Sequence, residues 1–228
     1  MCGRFTLATD TKKLAEAFAE FEPPAEEVRP RYNVAPSQPV AVVANNGDHK
    51  IEFFKWGLIP SWAKDPKIGN RMINARSETL AEKPSFKQAY KRRRCLVLAD
   101  GFYEWRKEPG SNRKTPIYIQ LASGEPFAFA GLWEAWHAKE SEETILSCTI
   151  ITTTPNELIA EIHNRMAVIL PRQAYDVWLD PAERSPADLA PLLKPYPADQ
   201  MRAYEVSTLV NSPGNDSPEC IRPVERLL

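Results

Sequence analysis

The sequence opens MCGRF, with a cysteine at its second position. Removal of Met1 would leave Cys2 with a free α-amine and a thiol on adjacent carbons. Such an amine, with a pKa of about 7.7–8.0, is partly neutral at pH 7. A neutral amine attacks an aldehyde and forms a Schiff base. The thiol of the same residue then closes on the imine carbon to give a five-membered thiazolidine, which is far less prone to hydrolysis than the imine. Closure is fast because both groups belong to one residue. An N-terminal cysteine is therefore an aldehyde trap. The alternative is a cysteine buried in an N-terminal strand, and position alone does not choose between them.

Three more polar residues stand in suggestive contexts: Asn74 in MINARSE, Glu104 in ADGFYEW and His163 in EIHNRM. Each has an ordinary reading as a loop amide, a half-buried paired carboxylate and a helix cap. Arg4, Arg71, Arg76 and Arg165, together with Trp56 and Trp62, supply guanidinium groups for phosphates and rings for stacking. That is the usual mixture for single-stranded nucleic acid. A DNA sugar that has lost its base equilibrates with an open-chain aldehyde, the group an N-terminal cysteine would trap.

The bulk properties narrow the class. The 228 residues suit one large domain, and the formal net charge of −1 confines any nucleic-acid site to a local basic surface. None of the four cysteines forms a CxxC pair and only three histidines exist, so neither a metal site nor a cofactor is expected. Cys95 and Cys148 lie in apolar runs that suggest buried, inert thiols, and Cys220 is left undecided. No apolar run approaches bilayer length, and the N-terminus lacks the apolar region of a signal peptide. The expectation is a soluble, cytoplasmic protein. The run KRRR at 91–94 reads as a solvated face.

The elements that must position these residues follow from periodicity and turn chemistry. DTKKLAEAFAEF predicts a helix capped by Asp10 or Thr11. The segment from Pro23 to Pro39 reads as a loop. PVAVVAN and KIEFFKW flank Asn46-Gly47 as a β-hairpin. Residues 57–78 read as a long functional loop. PSFKQAYKRR predicts a short helix, and RCLVLADGFYEW a buried strand running into a polar turn. TPIYIQLASGEPFAFAGLWEAW predicts a second hairpin turning at Ser123-Gly124. ETILSCTIITT, RMAVILP and AYEVST read as strands, and PNELIAEI, PRQAYDVWL and DLAPLL as short helices. Strands joined by hairpins, without a βαβ repeat, predict an α+β domain on an antiparallel, barrel-like sheet. One domain over residues 1–228 is expected. No heptad stands out, so a monomer is expected.

MCGRF, RYNVAPSQP, WGLIPSWAKD, INARSET, CLVLADGFYEW, ITTTPNELIAEIHNRMAVIL and VSTLVNSPGNDSPECI, in this order, resemble the SOS-response-associated peptidase (SRAP) family of abasic-site processing proteins. The resemblance implies a single SRAP-type domain with a barrel-like core and peripheral short helices. It implies binding of single-stranded DNA at an abasic site and a covalent thiazolidine crosslink through Cys2. It also implies a peptidase activity, autoproteolysis before Cys2, and an abasic-site lyase activity. By motif match, Asn74 would hold Cys2 and the open sugar, Glu104 would transfer protons, and His163 would assist sugar opening and reversal. Arg4, Arg76 and Arg165 would contact phosphates, and Pro36 and Trp62 would border the DNA. Ala63 stands where the family often has a second large residue beside Trp62.

Two other readings compete. A cysteine peptidase would use the Cys2 thiol as nucleophile and its own amine as base. A non-catalytic single-strand binding module would need neither group.

Overall fold

The structure, a computed structural model, describes residues 2–138 and 142–224. Its strands are β1 (Arg4–Leu7), β2 (Arg31–Val34), β3 (Pro39–Ala44), β4 (Ile51–Trp56), β5 (Asn74–Arg76), β6 (Arg94–Ala99), β7 (Gly101–Lys107), β8 (Lys114–Leu121), β9 (Phe127–His137), β10 (Thr144–Thr153), β11 (Met166–Ala167), β12 (Ile169–Leu170) and β13 (Met201–Glu205). The helices are short: α1 (Thr11–Ala17), α2 (Lys87–Arg92), α3 (Glu157–Ala160), α4 (Tyr175–Leu179) and α5 (Pro186–Leu189). The expected α+β fold with a barrel-like β core and peripheral short helices is what forms.

Strands β4, β3, β6, β9 and β10 close into a five-stranded barrel, because β10 pairs with both β9 and β4. A second sheet runs in the order β13-β8-β7-β1-β2. Pairing is mostly antiparallel. The exceptions are β10 against β4 and against β5, both parallel. Side-chain alternation divides the barrel's contacts. Val40, Val42 and Ala44 join a core shared with Phe5, Phe102, Ile117 and Ile119 of the second sheet. Ala41 and Val43 join Leu14, Phe18, Tyr90 and Trp178 under the helices. Strands covered on both faces read as unbroken apolar runs, and RCLVLA is buried throughout.

Several sequence expectations change. The Ser123-Gly124 connection is not a hairpin: β8 lies in the five-stranded sheet and β9 in the barrel. Ser123-Gly124 is a turn, with Gly124 at φ +76°, but a turn does not require its flanking strands to pair with each other. DGFYEW is no polar turn. Only Asp100 separates β6 from β7, and its buried carboxylate takes the N–H groups of Ala8 and Thr9 at 2.6 and 2.9 Å. RMAVILP splits at Val168, whose N–H bonds Ile151 and whose carbonyl bonds Ala130, so one residue spans β10 and β9. The Pro23–Pro39 loop contains β2, and the 57–78 loop contains β5 and the 3-10 helix Pro66–Arg71.

That loop is cinched at its base. The Gly57 N–H donates to Cys148 O at 2.8 Å and Leu58 N–H to Met72 O at 3.1 Å. Gly57 has φ +129°, and a Cβ there would lie 2.6 Å from Gly69 O. Only glycine fits such a close backbone crossing.

The run KRRR is not uniformly solvated. Arg94 is fully buried, and its guanidinium donates to the carbonyls of Tyr90, Lys91, Trp178, Asp180 and Ala182. It stitches α2 to the end of α4. All four cysteines are buried, Cys220 included, and burial pushes the Cys95 and Cys148 thiols up. No helix among the described residues is long and apolar enough to cross a membrane.

Candidate active site at the seam of the two sheets

Cys2 leads directly into β1, which pairs with β7 in the register Arg4↔Tyr103 and Phe5↔Phe102. The strand pair thereby brings the N-terminal segment alongside Glu104. Across the seam, β5 is held parallel to β10 with Asn74 opposite Ile150. The Nδ2 of Asn74 donates to the carbonyl oxygen of Cys2 at 2.7 Å. Its Oδ1 is buried with no hydrogen-bond partner among the described residues. One amide therefore grips Cys2 and keeps a buried acceptor available for a donor.

Cys2 is fully buried, and its thiol reaches Arg4 O at 3.7 Å. Burial drives the thiol pKa up, and the negative charge of Glu104 raises it further. The thiol is therefore a protonated one at neutral pH. Glu104 sits within β7 rather than at a turn, 2% exposed. Burial pushes its carboxyl up to about 7, against the opposing charge of Lys114. A carboxyl poised there can both give and take a proton near neutrality.

His163 follows α3, whose first turn is capped by Asn156 Oδ1 accepting Ile159 N–H at 2.9 Å. The His163 N–H closes the helix on Ile159 O at 2.8 Å. Its Nδ1 accepts the N–H of Arg165 at 3.1 Å. Burial lowers the His163 pKa, and the charges of Lys114 and Arg165 add to the effect, so the ring is neutral at pH 7. Lys114 acts on both Glu104 and His163. Nothing in its sequence context singled it out.

The three arginines differ. Arg165 forms a bidentate pair with Glu78 at 2.6 and 2.9 Å and donates to Thr152 O at 2.7 Å. Thr152 stands opposite Arg76 in the same β10–β5 register that holds Asn74, and Arg76 is exposed. Arg4 turns away under the 207–216 loop, with Nη1 on Asn33 Oδ1 and Val210 O, both at 2.8 Å. Asp216 of that loop takes the N–H groups of Tyr32 and Asn33 and the Nε of Arg31, covering the edge of β2.

Pro36 lies half-buried in a tight turn, and the next residue, Ser37, has φ +70° and bonds Asn70 at 2.9 Å. Trp62 is 58% exposed and borders a cleft of about 460 Å³ with Lys64, Lys67 and Arg71. Its neighbour Ala63 is buried and accepts Trp136 Nε1 at 2.8 Å. A more apolar cleft beneath Phe53, lined by Phe5, Val34 and Val40, contains none of the candidate residues, so cleft size does not mark the chemistry.

Comparison with known proteins places the chain in a family. A family model described as SOS response associated peptidase (SRAP) matches residues 1–213. Abasic site processing protein YoqW of Bacillus subtilis (strain 168) is 50% identical over 225 residues, covering 97% of this chain and 99% of that protein. Abasic site processing protein HMCES of Gallus gallus is 33% identical over 265 residues, covering 99% of this chain and 78% of that protein. A crystal structure of a Bacteroides thetaiotaomicron protein superposes with a TM-score of 0.88 at 28% identity, covering 98% of this chain and 100% of that one.

Proposed function

The chain belongs to the SOS response associated peptidase (SRAP) family, and on that premise we propose that it binds single-stranded DNA at abasic sites and crosslinks to them through Cys2 once Met1 is removed. The observation that carries this reading is the Asn74 bond to the Cys2 carbonyl, with the buried Glu104 on the strand that pairs beside the Cys2 segment.

The chemistry runs as one condensation followed by one addition on the same carbon. The Cys2 amine attacks the C1′ aldehyde, and the resulting carbinolamine loses water to give the imine. Glu104 supplies the proton for the departing hydroxyl. The Cys2 sulfur then adds to the imine carbon, and its proton ends on the ring nitrogen. One water is released overall. Asn74 holds the Cys2 backbone during both steps. His163 serves sugar opening, in which the furanose ring oxygen gains a proton as the C1′ hydroxyl loses one. Arg76 meets a phosphate, Trp62 and Pro36 border the strand, and Arg4 and Arg165, whose guanidinium groups are held by Asn33 and Val210 and by Glu78, support the N-terminal segment and the His163 loop. The protein acts as a monomer with one domain and no cofactor. The lyase and autoproteolytic activities suggested by the resemblance use the same groups.

In the chain that still carries Met1, the buried thiol is in the wrong state for a cysteine peptidase. A peptidase needs a thiolate and hence a lowered pKa, whereas burial and Glu104 push Cys2 the other way. In the trap the amine attacks first and a protonated thiol suffices for closure.

The test is intact mass before and after incubation with a single-stranded oligonucleotide bearing one abasic site. The expected result is a protein lacking Met1 that gains the oligonucleotide mass less one water. A free N-terminal cysteine that gains nothing would remove the proposal.

A further inference from the structure

Resting on that reading, we propose that Glu78 is a positioning residue for His163, acting through Arg165. Three segments meet here: the 3-10 helix Ser77–Thr79 after β5, the end of β10, and the loop after α3. Both carboxylate oxygens of Glu78 take the two Nη atoms of Arg165, at 2.6 and 2.9 Å. Nη2 also donates to Thr152 O at 2.7 Å. The Arg165 side chain is 14% exposed, and its Nε is buried with no partner among the described residues. The guanidinium is thus clamped from two sides, and only a planar fork makes both contacts at once.

The backbone of the clamped residue holds the histidine. Arg165 N–H donates to His163 Nδ1 at 3.1 Å, and Arg165 O lies 3.3 Å from the same nitrogen. In the proposed arrangement the shorter contact takes a bare Nδ1, and the neutral ring carries its proton on Nε2. Helix α3 spans only Glu157–Ala160 and ends before the ring, and the Arg165 backbone holds its Nδ1. Arg165 in turn is anchored by Glu78 and β10. The Glu78 carboxylate is held below its ordinary pKa, first by its bond to Arg165, and remains ionised at neutral pH.

The alternative is that Glu78, 48% exposed at its side chain, forms an ordinary surface ion pair of little consequence. Three features oppose it: the bidentate geometry, the burial of Arg165, and the use of Arg165's own backbone to hold the ring. Glu78→Gln is the informative change. It keeps the shape, but its amide nitrogen cannot accept the second Nη.

Crosslinking rates are measured at saturating abasic oligonucleotide for wild type, Glu78→Gln and Arg165→Lys, each with His163 intact and with His163→Ala. Glu78→Gln is expected to slow the wild-type rate about 10-fold, since a ring displaced by an ångström loses rate on that scale or more. Arg165→Lys should reproduce the effect, and neither should slow His163→Ala further. Equal slowing in both backgrounds, or no slowing in either, overturns the proposal. The second measurement is the imidazole 15N spectrum of His163. The expected result is one Nε2–H tautomer in wild type and a tautomer mixture in Glu78→Gln. An unchanged spectrum overturns the proposal. If wild type fails to crosslink, the proposed function falls, and the spectrum still judges Glu78.

Discussion

Asn74 and Cys2, 72 positions apart, are joined by a 2.7 Å hydrogen bond from the amide of one to the carbonyl of the other. The bond crosses the seam between two sheets. Asn74 belongs to a strand held by the barrel, and Cys2 leads into a strand of the five-stranded sheet. Cys2 is thereby tied to the barrel.

Replacing Asn74 by Ala should release that terminus. The expected outcome is a crosslinking rate lower by about 100-fold, as for loss of orientation at a reacting centre. Stability should change little, by about 1 kcal/mol, the worth of one hydrogen bond. Single-turnover kinetics and thermal melts on the same samples check both parts. Parallel collapse of stability would show that Asn74 is structural.

Glu104 predicts a pH dependence of stability. Its folded pKa of about 7 lies above the ordinary 4.5 because burial disfavours the carboxylate. The stability it confers as a neutral acid is complete below 4.5 and is lost as pH rises through 7, because the unfolded chain ionises first. The loss amounts to about 3 kcal/mol. Glu104→Gln, which cannot ionise, should gain on wild type between pH 4.5 and 7, with no further gain above. Melting curves from pH 4 to 9 check this, and a constant difference would contradict it. The same variant should crosslink slowly at pH 7, having lost its proton donor.

Arg94 and Arg92 should behave differently although they are two residues apart. Arg94→Ala removes a donor from five carbonyls, of which Lys91 O keeps the Arg184 N–H and Asp180 O keeps Asn45 Nδ2, and should cost about 3 kcal/mol. Arg92 pairs with Glu183 on the surface, with 59% and 48% of the two side chains exposed. Arg92→Ala should cost under about 0.5 kcal/mol. Denaturant titration of both variants measures the contrast.

Arg76 is exposed beside the Asn74 strand and has its charge available for a phosphate. Binding of intact single-stranded DNA should weaken with salt, and Arg76→Ala should reduce the slope of log K against log salt by about 0.7. Arg4→Ala should leave the slope unchanged, since its Nη1 donors are committed to Asn33 and Val210. A slope that ignores salt altogether would contradict a phosphate-tracking groove.

Much of the local structure was legible in the sequence. Apolar runs with Asn46-Gly47 between them identified the β3–β4 hairpin. Asp10 announced the start of α1, and its Oδ1 does accept the Lys13 N–H at 2.9 Å. These features depend on neighbours within a few residues, where periodicity and turn chemistry operate. Pairing between distant strands left no such trace. Ser123-Gly124 looks the same whether β8 and β9 pair with each other or part to different sheets. β5, three residues long, carries too little pattern to be read as a strand at all.

The site divides the same way. The sequence by itself determined that Cys2 could trap an aldehyde, because amine and thiol belong to one residue and need no fold to meet. It also singled out Asn74, Glu104 and His163, although their motif order rather than their spacing connected them. Tertiary structure alone decided that Asn74 grips the Cys2 carbonyl and that Glu104 is buried deeply enough to titrate near 7. It also decided which arginines are committed: Arg4 turns under a distant loop, Arg165 is clamped by Glu78, and Arg76 stays exposed. The physical reason is that burial, charge proximity and hydrogen-bond partnership are properties of space. Strand registers set them between residues that the chain keeps far apart.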